Sequence, residues 1–60
     1  MKTKVRMLHD DSRYNEWKSG EEGYIDGYVR GGDDVPYAVV VLAGRIVFCT
    51  FPDIIPIGFI

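Results

Sequence analysis

Few residues in this 60-residue chain could do chemistry, and His9 and Cys49 are the single histidine and the single cysteine. A cysteine nucleophile needs a base within hydrogen-bond reach, but Cys49 lies between Phe48 and Thr50, far in sequence from His9. Cys49 therefore reads as a core thiol packing as a small hydrophobe, and His9 as a polar residue at a strand end. One cysteine and one histidine are too few for a structural zinc site. The pairs Asp10-Asp11 and Asp33-Asp34 lack the alternating oxygen ligands and closing glutamate of a calcium loop, so they read as solvated turn residues. Gly20-x-x-Gly23 lacks the Lys-Ser/Thr that would hold a nucleotide phosphate. The expectation is a protein with no catalytic residues, no metal and no cofactor.

Binding is the better-supported class. Tyr14, Glu16 and Trp17 fall in one polar stretch, and Tyr24, Asp26 and Tyr28 alternate along the next apolar one. Large, stiff aromatic side chains dominate protein interfaces. These six residues are the expected partner-binding set, with acidic neighbours that would steer a basic partner toward it. The competing reading is that Trp17 and one tyrosine only close the end of a small core.

The net charge of −2 opposes generic nucleic-acid binding, which needs a positive footprint to displace counterions. One local exception exists. Lys2, Lys4 and Arg6 alternate with Thr3, Val5 and Met7, so an extended N-terminus would carry three cations on one face. That stripe is the alternative, nucleic-acid-binding site. The same pattern also protects an edge strand from aggregation.

The elements that must position these groups read as strands separated by turns. Val5 to Leu8 is β-compatible, and Asp10-Asp11-Ser12 breaks it. A long polar loop from His9 to Glu22 follows. From Gly23 the period becomes two, with Tyr24, Asp26 and Tyr28 expected on one face, and Ile25, Gly27 and Val29 on the other. Arg30 to Asp34 reads as a turn, and Val35 is held extended before Pro36. Tyr37 to Leu42 and Ile46 to Phe51 form a predicted hairpin through Ala43-Gly44. Pro52-Asp53-Ile54 suits a single 3-10 turn, after which Ile55-Pro56-Ile57 would pair back near the start. Ile25, Val29, Val39, Ile46, Phe48 and Ile57 are expected to share one closed interior.

That order predicts one all-β domain over residues 1–60: a small five-stranded barrel with a long first loop and a one-turn 3-10 segment before the last strand. The run Val5, Arg13-Tyr14, Gly20-Glu21-Glu22-Gly23-Tyr24-Ile25, Tyr37-Ala38-Val39, Gly44-Arg45-Ile46, Asp53-Ile54 and Pro56-Ile57 resembles the YorP-type SH3-like barrel proteins of Bacillus phages and prophages. The resemblance implies an SH3-like barrel and a phage setting, hence the host cytoplasm and a host protein as partner. Gly-x-x-Gly-x-aliphatic is also similar to the KOW motif, but Glu21, Glu22 and Asp26 make it acidic here, against RNA. The Ala-Leu-Tyr-Asp-Tyr run and central-strand tryptophan of peptide-binding SH3 domains are both missing, so recognition of proline-rich peptides is not implied.

A chain this short removes only about 60% of its unfolded surface from water, and no disulfide can form within it. With 47% hydrophobic residues, a homodimer and a monomer that exposes some aliphatic surface are both compatible with the composition. The longest apolar run is far short of the ~20 residues of a spanning helix, so no membrane association is expected.

Overall fold

Five strands and one 3-10 turn account for most of the chain in a computed structural model that describes residues 1–60. They are β1 (Thr3–Met7), β2 (Glu22–Arg30), β3 (Pro36–Leu42), β4 (Arg45–Cys49), the turn η1 (Phe51–Asp53) and β5 (Ile54–Phe59). All pairings are antiparallel, in one sheet of order β4-β3-β2-β1-β5. β4 and β5 are the two edges and do not pair with each other, so the sheet is not closed by hydrogen bonds. No helix is long and apolar enough to cross a membrane.

Local chemistry sets the boundaries. The loop after β1 is closed at its base, where Met7 N–H donates to Glu21 O and Gly20 N–H donates to Met7 O, each at 2.8 Å. Gly20 adopts φ 91°, a region that side chains with a Cβ disfavour. At Gly23 an added Cβ would overlap the carbonyl oxygen of Val41, so glycine lets β2 pass close to β3. The glycines three apart therefore solve a backbone problem. At the other end of the sheet, the Asp53 carboxylate accepts hydrogen bonds from Thr50 N–H (3.0 Å) and Thr50 Oγ1 (2.9 Å). These bonds fix the single turn that leads β4 into β5.

The core is Val5, Met7, Ala38, Val40, Leu42, Val47, Cys49 and Ile54, with Trp17 inserted from the loop and Ile25 packed against it. Alternation explains the strand contributions, because residues two apart share a face. Of the six residues expected to share one interior, Ile25 packs on this core, while Val39 and Ile57 are half-buried. Val29, Ile46 and Phe48 instead lie on the outer side, 44%, 58% and 55% exposed. The cause is register. The Ala43-Gly44 turn pairs Leu42 with Arg45, which sets Val40 against Val47 and Ala38 against Cys49 on the inner face. Val39 then faces Phe48, and Val41 faces Ile46, on the other side.

A second register effect acts in β2. Ile25 pairs with Val40, but Gly27 pairs with Val39, leaving Asp26 as the extra residue of a bulge. A bulge reverses which face later residues use. Tyr24 therefore lies opposite Val41 on the outer side, whereas Tyr28 lies opposite Ala38 on the inner side. The expectation that Tyr24, Asp26 and Tyr28 point one way is corrected accordingly.

Candidate binding cleft

The loop from Leu8 to Glu21 owes its shape largely to one carboxylate. Asp11 accepts backbone N–H bonds from Arg13 (3.1 Å), Tyr14 (3.3 Å) and Glu16 (3.0 Å). Short polar side chains fold nearby backbone in this way. The bond from Glu16 N–H, with those from Arg13 and Tyr14, holds the Asp11 carboxyl below its ordinary range. Asp11 N–H donates to Trp17 O at 3.0 Å, and Trp17 Nε1 donates to His9 O at 3.0 Å. Trp17 is thereby buried to 6% exposure. Its indole anchors the loop in the core and offers little surface to a partner.

The loop is also tied to the sheet. Arg45 donates through Nε to Glu16 O at 2.9 Å and through Nη2 to both carboxylate oxygens of Glu21. Those bonds lower the Glu21 pKa, with help from Lys18 N–H. Across from the loop, the β2–β3 turn is held by Asp33, which accepts from Val35 N–H (3.1 Å) and from the Tyr37 hydroxyl (3.2 Å). The same Asp33 bond raises the Tyr37 pKa.

Between these two walls runs a cleft of about 640 Å³ floored by Phe48, Cys49 and Thr50. Tyr14 (72% exposed), Tyr37 and Phe48 are among the residues that line it. Asp10, Asp11, Glu16 and Asp33 line it, as do Arg13 and the pair His9–Asp53, whose Nε2 and Oδ1 lie 2.6 Å apart. The Cys49 thiol at its floor is buried, and burial with nearby Asp53 pushes its pKa up to about 11. A thiol held neutral is a poor nucleophile. No group of three or more His, Cys, Asp or Glu side chains has metal-binding geometry.

The six residues expected to bind a partner do not form one surface. Tyr14 and Glu16 belong to the cleft and Trp17 backs it from the core. Tyr24 lies on the outer side of the sheet, with Lys2 Nζ 5.7 Å from its ring centroid. Asp26 sits at the bulge and pairs with Lys2 at 2.7 Å. Tyr28 packs its ring 5.9 Å from that of Phe51. The shared aromatic platform is corrected: the bulge separates Tyr24 from Tyr28, and the core takes Trp17.

The basic stripe is not free either. Lys2 pairs with Asp26, which raises the Lys2 pKa. Lys4 and Arg6 both reach Glu22, at 3.8 and 3.0 Å. Among the cleft residues outside the expected set are Asp10, Asp11, Asp33, Tyr37 and Phe48. The two Asp-Asp turns are the sequence signal for the acids, and Tyr37 and Phe48 carry none beyond their place in apolar strands. No known protein family matches the chain, and no characterised protein or solved structure does so.

Proposed function

We propose that this chain is a protein-binding module on a small SH3-like barrel scaffold, of phage or prophage type, that docks a host protein in the cleft between its long loop and the β2–β3 turn. It acts by occupancy, inhibiting or redirecting a host enzyme or defence component in the cytoplasm, without catalysing a reaction. The scaffold reading draws support from the strand order, the long first loop, the tight β3–β4 hairpin and the 3-10 turn before β5.

One observation carries the binding reading: three aromatic rings, Tyr14, Tyr37 and Phe48, line a cleft whose two walls are each braced by an internal carboxylate, Asp11 and Asp33. A site braced before binding loses less entropy when it is filled. The test is affinity capture from Bacillus lysate with tagged wild type and with Tyr14→Ala and Phe48→Ala variants. The proposal expects a specific partner retained by the wild type and lost by both variants. Equal retention by all three proteins would remove the cleft from the account.

Self-association is part of the proposal. β3 is hydrogen-bonded on both sides, so a second copy would cover its outer face, where Val39, Val41 and Ile46 lie. Light scattering that returns a monomer at high concentration removes that part alone.

A further inference from the structure

The distribution of ion pairs says what the cleft selects. Of the nine acidic side chains, Glu21, Glu22, Asp26, Asp34 and Asp53 each lie within ion-pair distance of a basic group. The other four are Asp10, Asp11, Glu16 and Asp33, and all four line the cleft. Arg13 is the only Lys or Arg side chain in that lining. Four carboxylates with no ion-pair partner thus meet on one concave surface, with Asp53 beside them held by His9, and the surface is net negative. A concave site lined by one sign of charge focuses its field on an approaching counter-charge.

The aromatic rings narrow the chemistry further. A small cation would need converging oxygens, and no such cluster exists. Tyr14, Tyr37 and Phe48 instead bring aromatic and apolar side chains into the lining beside the acids. That combination suits a side chain with an apolar stem and a cationic head, since guanidinium and ammonium groups are attracted to aromatic faces and their stems pack on apolar surface. Resting on the reading of the cleft as a docking site, we infer that its occupant is an extended arginine- or lysine-bearing segment of a partner protein. The cationic heads lie among Asp10, Glu16 and Asp33, and the stems lie against the rings.

The charges can be removed without dismantling the cleft. No side chain donates to the Glu16 carboxylate, and Asp33 uses its oxygens as acceptors for Val35 N–H and Tyr37 Oη. Glu16→Gln and Asp33→Asn therefore remove charge at constant shape: at position 33 the amide oxygen still accepts from Val35 N–H, and the amide N–H can donate to Tyr37 Oη, a hydroxyl that also accepts. The experiment titrates the full chain with a short Gly-Arg-Ser repeat peptide, its Gly-Gln-Ser and Gly-Glu-Ser counterparts, and a DNA duplex, following backbone amide shifts at two salt concentrations. The Arg peptide is expected to bind at the cleft, more weakly in high salt, and about fivefold more weakly to the E16Q/D33N double variant, as two exposed charges imply. Arg13→Gln should tighten it, and Glu22→Gln, outside the cleft, should leave it unchanged.

Equal binding of the Gln peptide at the cleft would overturn the charge inference and leave the docking reading standing. Failure of every peptide to bind, or preferential binding of DNA, would overturn the inference. If the Tyr14→Ala and Phe48→Ala variants still captured the partner from lysate, the docking reading would fall separately.

Discussion

Arg45 Nη2 holds both oxygens of Glu21, at 2.7 and 2.6 Å, and this single contact joins the base of the long loop to the β3–β4 hairpin. Its significance is positional. The same guanidinium reaches Glu16 O, so one side chain ties the loop to the sheet at two points, beside the wall that carries Glu16. Arg45→Ala should leave the sheet folded and speed hydrogen exchange at the amides of Tyr14, Glu16 and Trp17. Unchanged exchange there would show that Asp11 and Trp17 hold the loop without the staple.

Acid should loosen the same region first. The folded pKa values of Asp11 and Glu21 are both lowered, so between folded and unfolded values the unfolded chain binds more protons. Their contribution is then fully present above the unfolded pKa of about 4 and is lost as pH falls through the folded values. The urea midpoint should be level from neutral pH to about pH 5 and should drop below that, in the range where unfolded carboxylates titrate. Asp11→Asn should flatten the acid limb. An identical limb in that variant would contradict the assigned role.

Trp17 is a core residue by position, whatever its neighbours do at the surface. Truncating a buried tryptophan to alanine costs about 3–5 kcal/mol, and a domain of this length has only roughly 3–9 kcal/mol in hand. Trp17→Ala should therefore be largely unfolded by circular dichroism at 25 °C. Trp17→Phe, which loses only part of the volume and the bond to His9 O, should fold with a lower Tm. A Trp17→Ala protein as stable as wild type would place the indole outside the core.

Neighbouring residues of β4 should behave oppositely. Val47→Asp puts a charge into the interior beside Val40 and should abolish folding, whereas Ile46→Asp changes a position exposed on the single chain and, at concentrations low enough to keep the chain monomeric, should shift stability by about 0.5 kcal/mol or less. Thermal melts of the two variants compare the faces directly. Reversal of the two results would mean that the hairpin register is off by one residue.

That pair of variants also marks where sequence reading stops. The strand order along the chain was legible, because Asp10-Asp11-Ser12, Arg30 to Asp34, Ala43-Gly44 and Pro52 punctuate it with residues that suit turns. The faces were not. β3 is apolar at every position from Tyr37 to Leu42, so alternation gives no parity, and Val39, expected inside, lies on the face opposite the buried Val40. The bulge at Asp26 was hidden for a related reason: Gly27 reads as a bend, while the extra residue beside it shows only in the pairing with β3. In the cleft, Tyr14 and Glu16 stood out as loop residues rich in contact chemistry. Tyr37 and Phe48 looked like strand core, and Asp11 and Asp33 looked like turn formers, which they are. That the loop and the turn flank one cleft follows from their separation across the sheet, a long-range relation with no local signature.

Mapping where a cationic ligand sits tests the central claim most directly. In a titration of isotope-labelled protein with the Gly-Arg-Ser peptide, amide shifts should concentrate at Asp11 to Glu16, Asp33 to Tyr37 and Phe48 to Thr50, while Lys4, Arg6 and β5 stay still. Shifts centred on Tyr24 and the β1 stripe, or none at any concentration, would contradict it.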